Sequence, residues 1–343
     1  MKSSTPCTVA KAPEHIVLSR TDSIGDVVLT LPLAGLLKQR FPGVRITFIG
    51  RGYTRPVLER CTHVDRVITF EELTSGDAVG MLRSLRADAI VHVFPQREVA
   101  RWARSAGIPR RIGTSHRWWH WLMCNERVSF SRRKSELHEA QLNVKLLAPL
   151  GVEEVPDTAR LVELTGFVVP QADMTVRTLM RKDRVHVVLH PGSKGSAVEW
   201  GLDRFAELIR ALDPDQYQVF LTGTKEEADR YRATLPVDLA HVIDTGGTLT
   251  LDQLIQLIGA CDTLVAASTG PLHIAAASGI RAIGLFVPRR PVHPGRWAPI
   301  GRDAHALVFD PGCVDCAAGR RCDCIHRITP QRVLALLEPL HPH

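Results

Sequence analysis

The sequence predicts a doubly wound α/β protein of two domains, and three observations predict it. Short apolar, β-branched runs alternate with amphipathic stretches along the chain, the pattern of strand–helix–strand units in parallel sheets. The predicted strands are nearly continuous apolar runs, as expected for sheets covered on both faces. The length of 343 residues fits about two domains. We therefore expect two domains of similar size that face each other across a cleft.

Ten strands are predicted, four in the first half of the chain and six in the second. They cover residues 15–19, 45–50, 66–70, 89–94, 185–192, 217–223, 241–247, 263–268, 282–288 and 305–310. Leucine-rich stretches with helical spacing predict helices at 31–43, 201–212, 250–260 and 328–340. Pro32 falls inside the first of these helices, an irregularity that the pattern leaves unexplained. The polar stretch 165–173 is the expected boundary, which predicts domains over 1–168 and 169–327.

The composition is that of an ordinary globular protein, with 45% hydrophobic and 23% charged residues. No apolar run approaches the ~18 residues that a membrane-spanning helix needs. Residues 1–15 lack the apolar core of a signal peptide, and we expect a cytoplasmic protein. The net charge of +7 is too small to indicate nucleic-acid binding. It fits anionic small molecules or an anionic membrane surface.

The stretch RTDSIGDVVLTLPL, residues 20–33, follows the first predicted strand and carries Asp26 directly after Gly25. The residues alone leave two interpretations open. Asp26 is the N-cap of the helix that follows, a role worth ~1 kcal/mol, or its carboxylate takes part in chemistry. Ligands of doubly wound sheets bind at the carboxyl ends of strands, where this loop is expected to lie.

Two loops of the second half have the composition of anion sites. Residues 192–196, GSKGS, follow a strand and offer small residues, backbone N–H groups and the cation Lys194. Residues 268–273, STGPLH, end another strand, and Pro271 suits the first helical position. His273 lies on the first turn of that helix. An ordinary strand–helix turn is the alternative for the first loop, and a structural histidine is the alternative for His273.

A third loop, LTGTKEE at 221–227, places Thr222, Gly223 and the pair Glu226-Glu227 beyond a strand end. A carboxylate there suits ribose or sugar hydroxyls, and the alternative is an acidic first helical turn favoured by the helix dipole. None of the three loops is a Walker A loop or a Gly-x-Gly-x-x-Gly fingerprint. Their absence argues against an NTPase and against a dehydrogenase with two Rossmann domains.

Six stretches taken together carry a resemblance to a known family. They are RTDSIGDVVLTLP, HEAQLNVKLLAPLG, HPGS…EWGLDRFAELI, LTGTKEE, TGGTLTLDQLIQLIGACD and STGPLHIAAASG, in this order between residues 15 and about 335. In content and order the set resembles glycosyltransferase family 9, the heptosyltransferases of lipopolysaccharide core assembly. The resemblance implies a GT-B fold and inverting transfer without a metal. The expected donor is an ADP-heptose-like nucleotide sugar, and the expected acceptor is an anionic glycolipid rather than a nucleic acid.

The resemblance also implies roles for individual residues. Asp26 matches the general base of a Gly-Asp motif, Ser193 a donor phosphate contact, and Glu226 the acid that holds the nucleotide ribose. Leu249 matches an apolar position beside the base, and Thr269, Gly270 and His273 the loop for diphosphate and sugar. The full expected donor set is Ser193, Lys194, Thr222, Gly223, Glu226, Leu249, Ser268, Thr269, Gly270, Pro271 and His273. The expected acceptor set is Arg20, Ser23, Gly25, Arg97 and Arg101.

Two departures from the family pattern concern the donor. Ser268 stands where the family commonly has an aspartate that contacts the donor sugar, and Val198 stands where it commonly has a lysine. Lys194 is the only nearby cation, and we expect it to substitute for that lysine. The departures keep two alternatives open, a non-catalytic nucleotide-sugar-binding relative and a transferase with a different donor. In GT-B proteins a C-terminal helix such as 328–343 often packs back towards the first domain, and we expect this here.

Residues 97–134 form a basic, aromatic stretch with ten arginine and lysine residues against two glutamates. Arg97, Arg101 and Arg104 share one helix face. Trp118, Trp119 and Trp121 follow. Arginine suits phosphates and carboxylates, and tryptophan suits a membrane interface, so an anionic glycolipid at the inner membrane explains both. The alternatives are a solvated arginine face with tryptophans plugging the core, and single-stranded nucleic acid.

Four cysteines lie within twelve residues near the C-terminus, at positions 313, 316, 322 and 324. Four thiolates can hold zinc in a tetrahedral site. The Cys-x-Cys spacing of the last pair is awkward for a single ion, and disulfides or free thiols remain alternatives. The prediction is a structural zinc site on Cys313, Cys316, Cys322 and Cys324, with no cofactor required for transfer.

Overall fold

The computed structural model describes residues 12–132 and 134–337, which form two six-stranded parallel sheets. The first domain contains β1 (His15–Ser19), β2 (Arg45–Gly50), β3 (Arg66–Thr69), β4 (Ala89–His92), β5 (Arg110–Thr114) and β6 (Glu126–Val128). The second contains β7 (Val185–His190), β8 (Tyr217–Leu221), β9 (Val242–Asp244), β10 (Thr263–Ala267), β11 (Arg281–Phe286) and β12 (Ala304–Val308). Central strands such as β1, β8 and β10 are buried along their whole length.

Helices cover both sheets. In the first half they are α1 (Ile24–Val28), α2 (Leu31–Arg40), α3 (Arg55–Leu58), α4 (Phe70–Ser75), α5 (Ala78–Ser84), α6 (Arg97–Ser105), α7 (Trp118–Met123), α8 (Glu139–Val144) and α9 (Thr158–Glu163). In the second they are α10 (Met174–Arg177), α11 (Leu202–Ala211), α12 (Lys225–Tyr231), α13 (Leu251–Ala260), α14 (Gly270–Ser278), α15 (Pro294–Trp297), α16 (Val314–Ala317) and α17 (Pro330–Leu337). Short 3₁₀ turns lie at Gly52–Thr54 and Lys145–Leu150. Across the described residues, no helix combines the length and apolarity needed to span a bilayer.

The two sheets have the same topology. The first runs β3-β2-β1-β4-β5-β6 and the second β12-β11-β10-β7-β8-β9, and all pairings are parallel. Both orders reverse direction at the centre, between β1 and β4 and between β7 and β10. In such sheets the crevice for ligands opens at the carboxyl ends of these central strands. The doubly wound architecture predicted from the sequence is confirmed.

Each of the ten predicted strands is present, with the Gly- and Pro-containing ends of several predictions lying in loops instead. Two further strands, β5 and β6, were not predicted. They occupy the basic stretch, where arginine side chains break the apolar pattern, and they form because β5 pairs with β4 and β6 with β5. Strand pairing in the folded sheet decides these elements, since the local sequence favours no strand.

The irregularity at Pro32 has a structural explanation. The helix predicted at 31–43 is α2, which begins at Leu31, and a separate short helix, α1, ends before it at Val28. Pro32 lies in the first turn of α2, where its missing N–H removes no intrahelical hydrogen bond. The break orients α1 independently of α2, which leaves this short helix free to approach the second domain.

Contacts on either side of residue 168 support the predicted division of the chain. The amide of Val168 donates to the carbonyl of Arg60 in the first domain (2.8 Å). After it, the Val169 side chain packs against Gly259 of α13, and the amide of Asp173 donates to Gln256 of the same helix (2.7 Å). We propose residue 168 as the boundary on these contacts.

The C-terminal helix packs differently from the expectation. Helix α17 lies against α11 of the second domain, with Val333 and Leu337 buried in that domain's core. The indole N–H of Trp200 donates to the carbonyl of Ile328 (2.8 Å), which fixes the turn before the helix. The prediction that this segment packs towards the first domain is therefore wrong for its described part, because its apolar face fits α11. Residues 338–343 lie outside the described residues.

Candidate active site

The two domains meet where α1 and α14 begin. A Cβ atom at Gly25 would lie 2.7 Å from His273 Cδ2, and one at Gly270 would lie 2.8 Å from Ile24 Cβ. Only glycine therefore permits this approach of the two first turns. Helix α1 follows β1 and α14 follows β10, so both turns lie at carboxyl ends of central strands. The contact brings the loop of Asp26 directly against the 268–273 loop.

Asp26 is the third residue of α1 and is not its N-cap. The N-cap position is Ser23, whose hydroxyl donates to Asp26 Oδ2 (2.5 Å). The guanidinium of Arg20 also donates to the Asp26 carboxylate. Arg20 and Ser23 thus hold the Asp26 carboxylate in place. The side chain is still 17% exposed and therefore accessible. The capping interpretation is wrong, and the carboxylate is available for chemistry.

A second carboxylate, Asp22, shares Arg20 with Asp26. Arg20 Nε donates to Asp22 Oδ1 at 2.8 Å, and the arginine itself is almost fully buried. Burial raises the pKa of Asp22 to about 6, and the nearby Asp26 adds to the rise while Arg20 opposes it. The environment of Asp22 therefore favours its protonated form over the acidic range.

Glu139 forms a charge cluster that sequence reasoning missed. This carboxylate is buried, at 2% side-chain exposure, and contacts three arginines. Arg20 lies 3.5 Å from Oε1, Arg132 donates to the same oxygen, and Arg296 of the second domain donates to Oε2 through Nε and Nη2 (3.0 and 2.9 Å). Glu139 thus links the arginine that holds Asp26 to the opposite domain. In the sequence, Glu139 lies in the HEAQLN stretch, which contributes to the family resemblance but indicates no role for this glutamate.

The loop after β7 is organised by Glu199. Its carboxylate accepts hydrogen bonds from the backbone N–H and the hydroxyl of Ser193 (2.9 and 2.8 Å). The hydroxyl of Ser193 is therefore engaged within its own loop. Lys194 is exposed and has positive φ, with its charge near Glu226. Val198, where the family commonly has lysine, is half-buried against the second core.

The loop after β8 separates the two adjacent glutamates. Glu227 is buried and accepts from the backbone N–H of Thr224, as part of the cap of α12. Glu226 is exposed, and hydrogen bonds at the helix start, followed by Lys194, lower its pKa. Of the pair, Glu226 is thus the one open to a ligand. Thr222 is buried and bonds His190 Nδ1 at 2.9 Å beneath the loop.

The remaining predicted donor residues lie on or beside α14. Pro271 is the second residue of this helix, one position later than predicted, and Ser268 and Leu249 are half-buried. Thr269 and His273 are buried, and neither Thr269 Oγ1 nor His273 Nδ1 has a hydrogen-bond partner among the described residues. Burial lowers the pKa of His273 to about 3, so the imidazole is neutral at neutral pH. Unpartnered buried polar atoms are uncommon and suit a site that a polar ligand completes.

The predicted acceptor arginines lie further along the edge of the first domain. Arg97 and Arg101 are exposed on α6, which follows β4. Arg20 and Ser23 donate hydrogen bonds to the Asp26 carboxylate, and Gly25 precedes Asp26 in the chain. Arg97 and Arg101 have no such contact with Asp26 among the described residues. The structure therefore divides the predicted acceptor set into an inner group around Asp26 and an outer group on α6.

The four C-terminal cysteines come together despite the tight spacing. Their sulfur atoms all lie within 4.8 Å of one another, with Cys313 Sγ and Cys322 Sγ 3.4 Å apart. Cys316 and Cys324 are buried in the core of the second domain. Tetrahedral thiolate sites have metal–sulfur bonds of about 2.3 Å, which places the sulfurs roughly 3.8 Å apart, and the cluster fits that size.

Two doubly wound domains whose carboxyl-edge loops meet at a shared cleft form the GT-B fold. Residues 80–324 match the model of glycosyltransferase family 9 (heptosyltransferase). The chain belongs to this family and is a glycosyltransferase. Glycosyl transfer of this kind builds the lipopolysaccharide core. The family and the fold predicted from the six stretches are confirmed.

Relatives cover nearly the whole chain at low identity. A putative glycosyltransferase of Haemophilus influenzae is 25% identical over 310 residues, covering 87% of this chain and 89% of its own. Lipopolysaccharide heptosyltransferase 2 of Escherichia coli is 24% identical over 340 residues, covering 92% and 95%. The structure of E. coli ADP-heptose LPS heptosyltransferase II superposes with a TM-score of 0.74 at 22% identity and covers 95% of this chain and 98% of its own.

Two more distant structures contain ligands. The E. coli heptosyltransferase WaaC with ADP-2-deoxy-2-fluoro heptose has a TM-score of 0.64 at 15% identity, covering 95% of this chain and 99% of its own. The dodecameric iron-containing heptosyltransferase TibC in complex with ADP-D-beta-D-heptose has a TM-score of 0.57 at 14% identity, covering 96% and 76%. At these identities the superpositions establish a common fold.

Proposed function

We propose that the enzyme transfers a heptose from an ADP-heptose donor to a lipopolysaccharide core acceptor, with inversion at the anomeric carbon and Asp26 as the general base. The observation that carries the proposal is the contact of α1 with α14 through Gly25 and Gly270. It brings the helix turn that carries Asp26 against the loop of Thr269 and His273. The ADP-heptose ligands of WaaC and TibC support the donor, and the E. coli relative supports the acceptor.

In the proposed step the acceptor hydroxyl gives its proton to the Asp26 carboxylate. Its oxygen forms the new bond to the anomeric carbon, while the bond from that carbon to the diphosphate oxygen breaks and its electron pair leaves with ADP. Arg20 and Ser23 orient the carboxylate through the hydrogen bonds described above. A positioned base of this kind contributes about 10²–10⁴-fold to the rate.

The departing diphosphate needs positive potential in the second domain. The first amides of α14 have no partner within the helix, and the helix dipole favours an anion there. His273 is neutral and supplies no positive charge. In this proposal Lys194, in the 192–196 loop, supplies the positive charge that stabilises the diphosphate. Such electrostatic stabilisation contributes several kcal/mol in enzymes that use it. Glu226, exposed at the start of α12, is the proposed partner of the ribose hydroxyls.

The donor is tested by product formation with the purified full chain. We expect ADP release and a heptose-extended product when ADP-heptose is combined with a core oligosaccharide that lacks the heptose added in this step. UDP- and GDP-sugars serve as matched donors and should give no product above background. Transfer from one of those donors, at a rate above that with ADP-heptose, would replace the donor assignment. Binding of ADP-heptose without turnover would contradict its proposed role as the donor, and Ser268 and Val198 would then be the first residues to examine.

We also propose that Cys313, Cys316, Cys322 and Cys324 hold one structural metal ion, zinc or iron. The converging sulfurs carry this proposal, and the iron-containing TibC makes iron a second candidate beside zinc. The site would tie the loop before α17 to the second domain, and it has no part in the transfer step.

The metal proposal predicts about one ion per chain in anaerobically purified protein, measured for zinc and iron by elemental analysis. Cys316→Ser should lower the metal content severalfold and lower the melting temperature, because a structural metal contributes to folding. Cys261→Ser removes another buried thiol outside the cluster and is the control, with unchanged metal content. Metal-free wild-type protein of full stability would contradict the proposal.

A further inference from the structure

The first domain exposes an aromatic surface that the transfer step does not use. Trp118, Trp121 and Leu122 of α7 are 62%, 60% and 58% exposed, and we call these three residues the tryptophan surface. The interpretation of these tryptophans as a core plug is therefore wrong for Trp118 and Trp121. Adjacent exposed side chains of this size indicate an interaction site more often than single exposed ones do.

Arginines surround the tryptophan surface. The guanidinium of Arg97 lies 5.4 Å from the ring centroid of Trp118, and that of Arg127 lies 4.5 Å from the ring of Trp121. Arg117 stacks on the neighbouring Trp119 at 5.6 Å. Among the described residues, none of these three arginines forms an ion pair with a carboxylate, in contrast to Arg20 and Arg296. Within the described part of the chain, these three positive charges are thus not neutralised in ion pairs.

The sheet order places this surface beside the acceptor side of the cleft. Strands β1, β4 and β5 are neighbours, and their carboxyl ends lead respectively to α1 with Asp26, to α6 with Arg97, and to α7 with Trp118. The cation–π contact of Arg97 with Trp118 confirms that the starts of α6 and α7 are adjacent. The edge therefore runs from the carboxylate through a basic helix to the exposed rings.

We propose that the tryptophan surface, with Arg97, Arg117 and Arg127, docks the enzyme on a bilayer of anionic phospholipid. Tryptophan rings partition to the level of the lipid headgroups. Each basic residue near an anionic bilayer raises the affinity of a protein for that bilayer about fivefold. Charge complementarity selects this partner over a neutral protein surface. Docking here would present the acceptor edge to a membrane-held glycolipid, and this consequence alone rests on the proposed function.

The test is sedimentation of the full chain with vesicles of phosphatidylglycerol and phosphatidylethanolamine, and with phosphatidylcholine vesicles for comparison. We expect binding to the anionic vesicles that weakens as salt is raised, since screening shortens the range of the attraction. Arg97→Gln/Arg127→Gln should weaken the affinity roughly 25-fold, at about fivefold for each arginine. Trp118→Ala/Trp121→Ala should weaken binding also at high salt, where the charge term is screened.

Met174→Ala and Arg177→Gln, on the exposed helix α10 of the second half, are the matched controls and should bind as the wild type does. Wild-type protein that stays in the supernatant, or tryptophan variants that bind normally, would overturn the proposal. Binding of a single-stranded oligonucleotide without vesicle binding would assign the surface to nucleic acid instead. The assay contains no donor or acceptor, so a failure of transfer leaves its outcome unaffected. Transfer to a soluble core oligosaccharide likewise needs no membrane.

Discussion

Asp26→Asn should reduce the rate of heptose transfer by about 10²–10⁴-fold while the protein keeps its fold, because asparagine cannot take the acceptor proton. The side chain caps no backbone amide of α1, so the substitution removes no cap. An amide oxygen can still accept from Ser23 or Arg20, and Arg20 keeps its ion pairs with Asp22 and Glu139. The measurement is kcat with ADP-heptose, together with KM for the donor, which should change little.

Asp22→Asn is the matched comparison, because it makes the same charge change beside the same arginine. Its effect on kcat should stay below about tenfold, since Asp22 precedes α1, the helix whose first turn meets the loop of Thr269 and His273. Equal losses in the two variants would mean that the negative charge around Arg20 matters rather than a base at residue 26. An Asp26→Asn enzyme of wild-type rate would exclude Asp26 as the base altogether.

The fold could be predicted from the sequence because its central strands are buried on both faces. Such strands are nearly continuous apolar runs, as in β1, β8 and β10, and burial on both faces leaves little choice of residue. The last two strands of the first sheet, β5 and the edge strand β6, could not be predicted in this way. Arg110 pairs with Glu126 across these strands at 2.7 Å, so polar partners replace the apolar pattern that indicates a strand.

The sequence predicts the individual loops of the candidate site. It does not predict the ion pairs that join residues far apart in the chain. Loops at strand ends are local features, and the α1 and α14 loops were located from their sequences. Glu139, in contrast, contacts arginines at positions 20, 132 and 296, which no local pattern connects. Glu139 also lies in the first turn of α8, where an acidic residue is favoured by the helix dipole. That local explanation is sufficient from the sequence, so the pairing of Glu139 with the arginines is not predicted. Only the packed domains bring the three arginines to one carboxylate.

Glu139→Gln should destabilise the protein by about 3–5 kcal/mol, the cost typical of removing one partner from a buried charge cluster. The substitution removes the carboxylate that pairs with Arg132 and with the largely buried guanidinium of Arg296, while Arg20 keeps Asp22 and Asp26. It also weakens a link between the domains, so kcat/KM should fall as the approach of α1 to α14 becomes less well fixed. The measurements are the unfolding midpoint in urea and the rate of transfer.

The chain offers a matched pair for the control. Glu136 and Arg290 also form an ion pair between the domains, at 79% and 48% side-chain exposure, against 2% and 16% for Glu139 and Arg296. Glu136→Gln should cost no more than about 1 kcal/mol, as exposed pairs usually do. Double-mutant cycles with Arg290→Gln and Arg296→Gln isolate each coupling energy. Similar couplings for both pairs would contradict the role assigned to burial, and with it the view that Glu139 fixes the catalytic loop against the second domain.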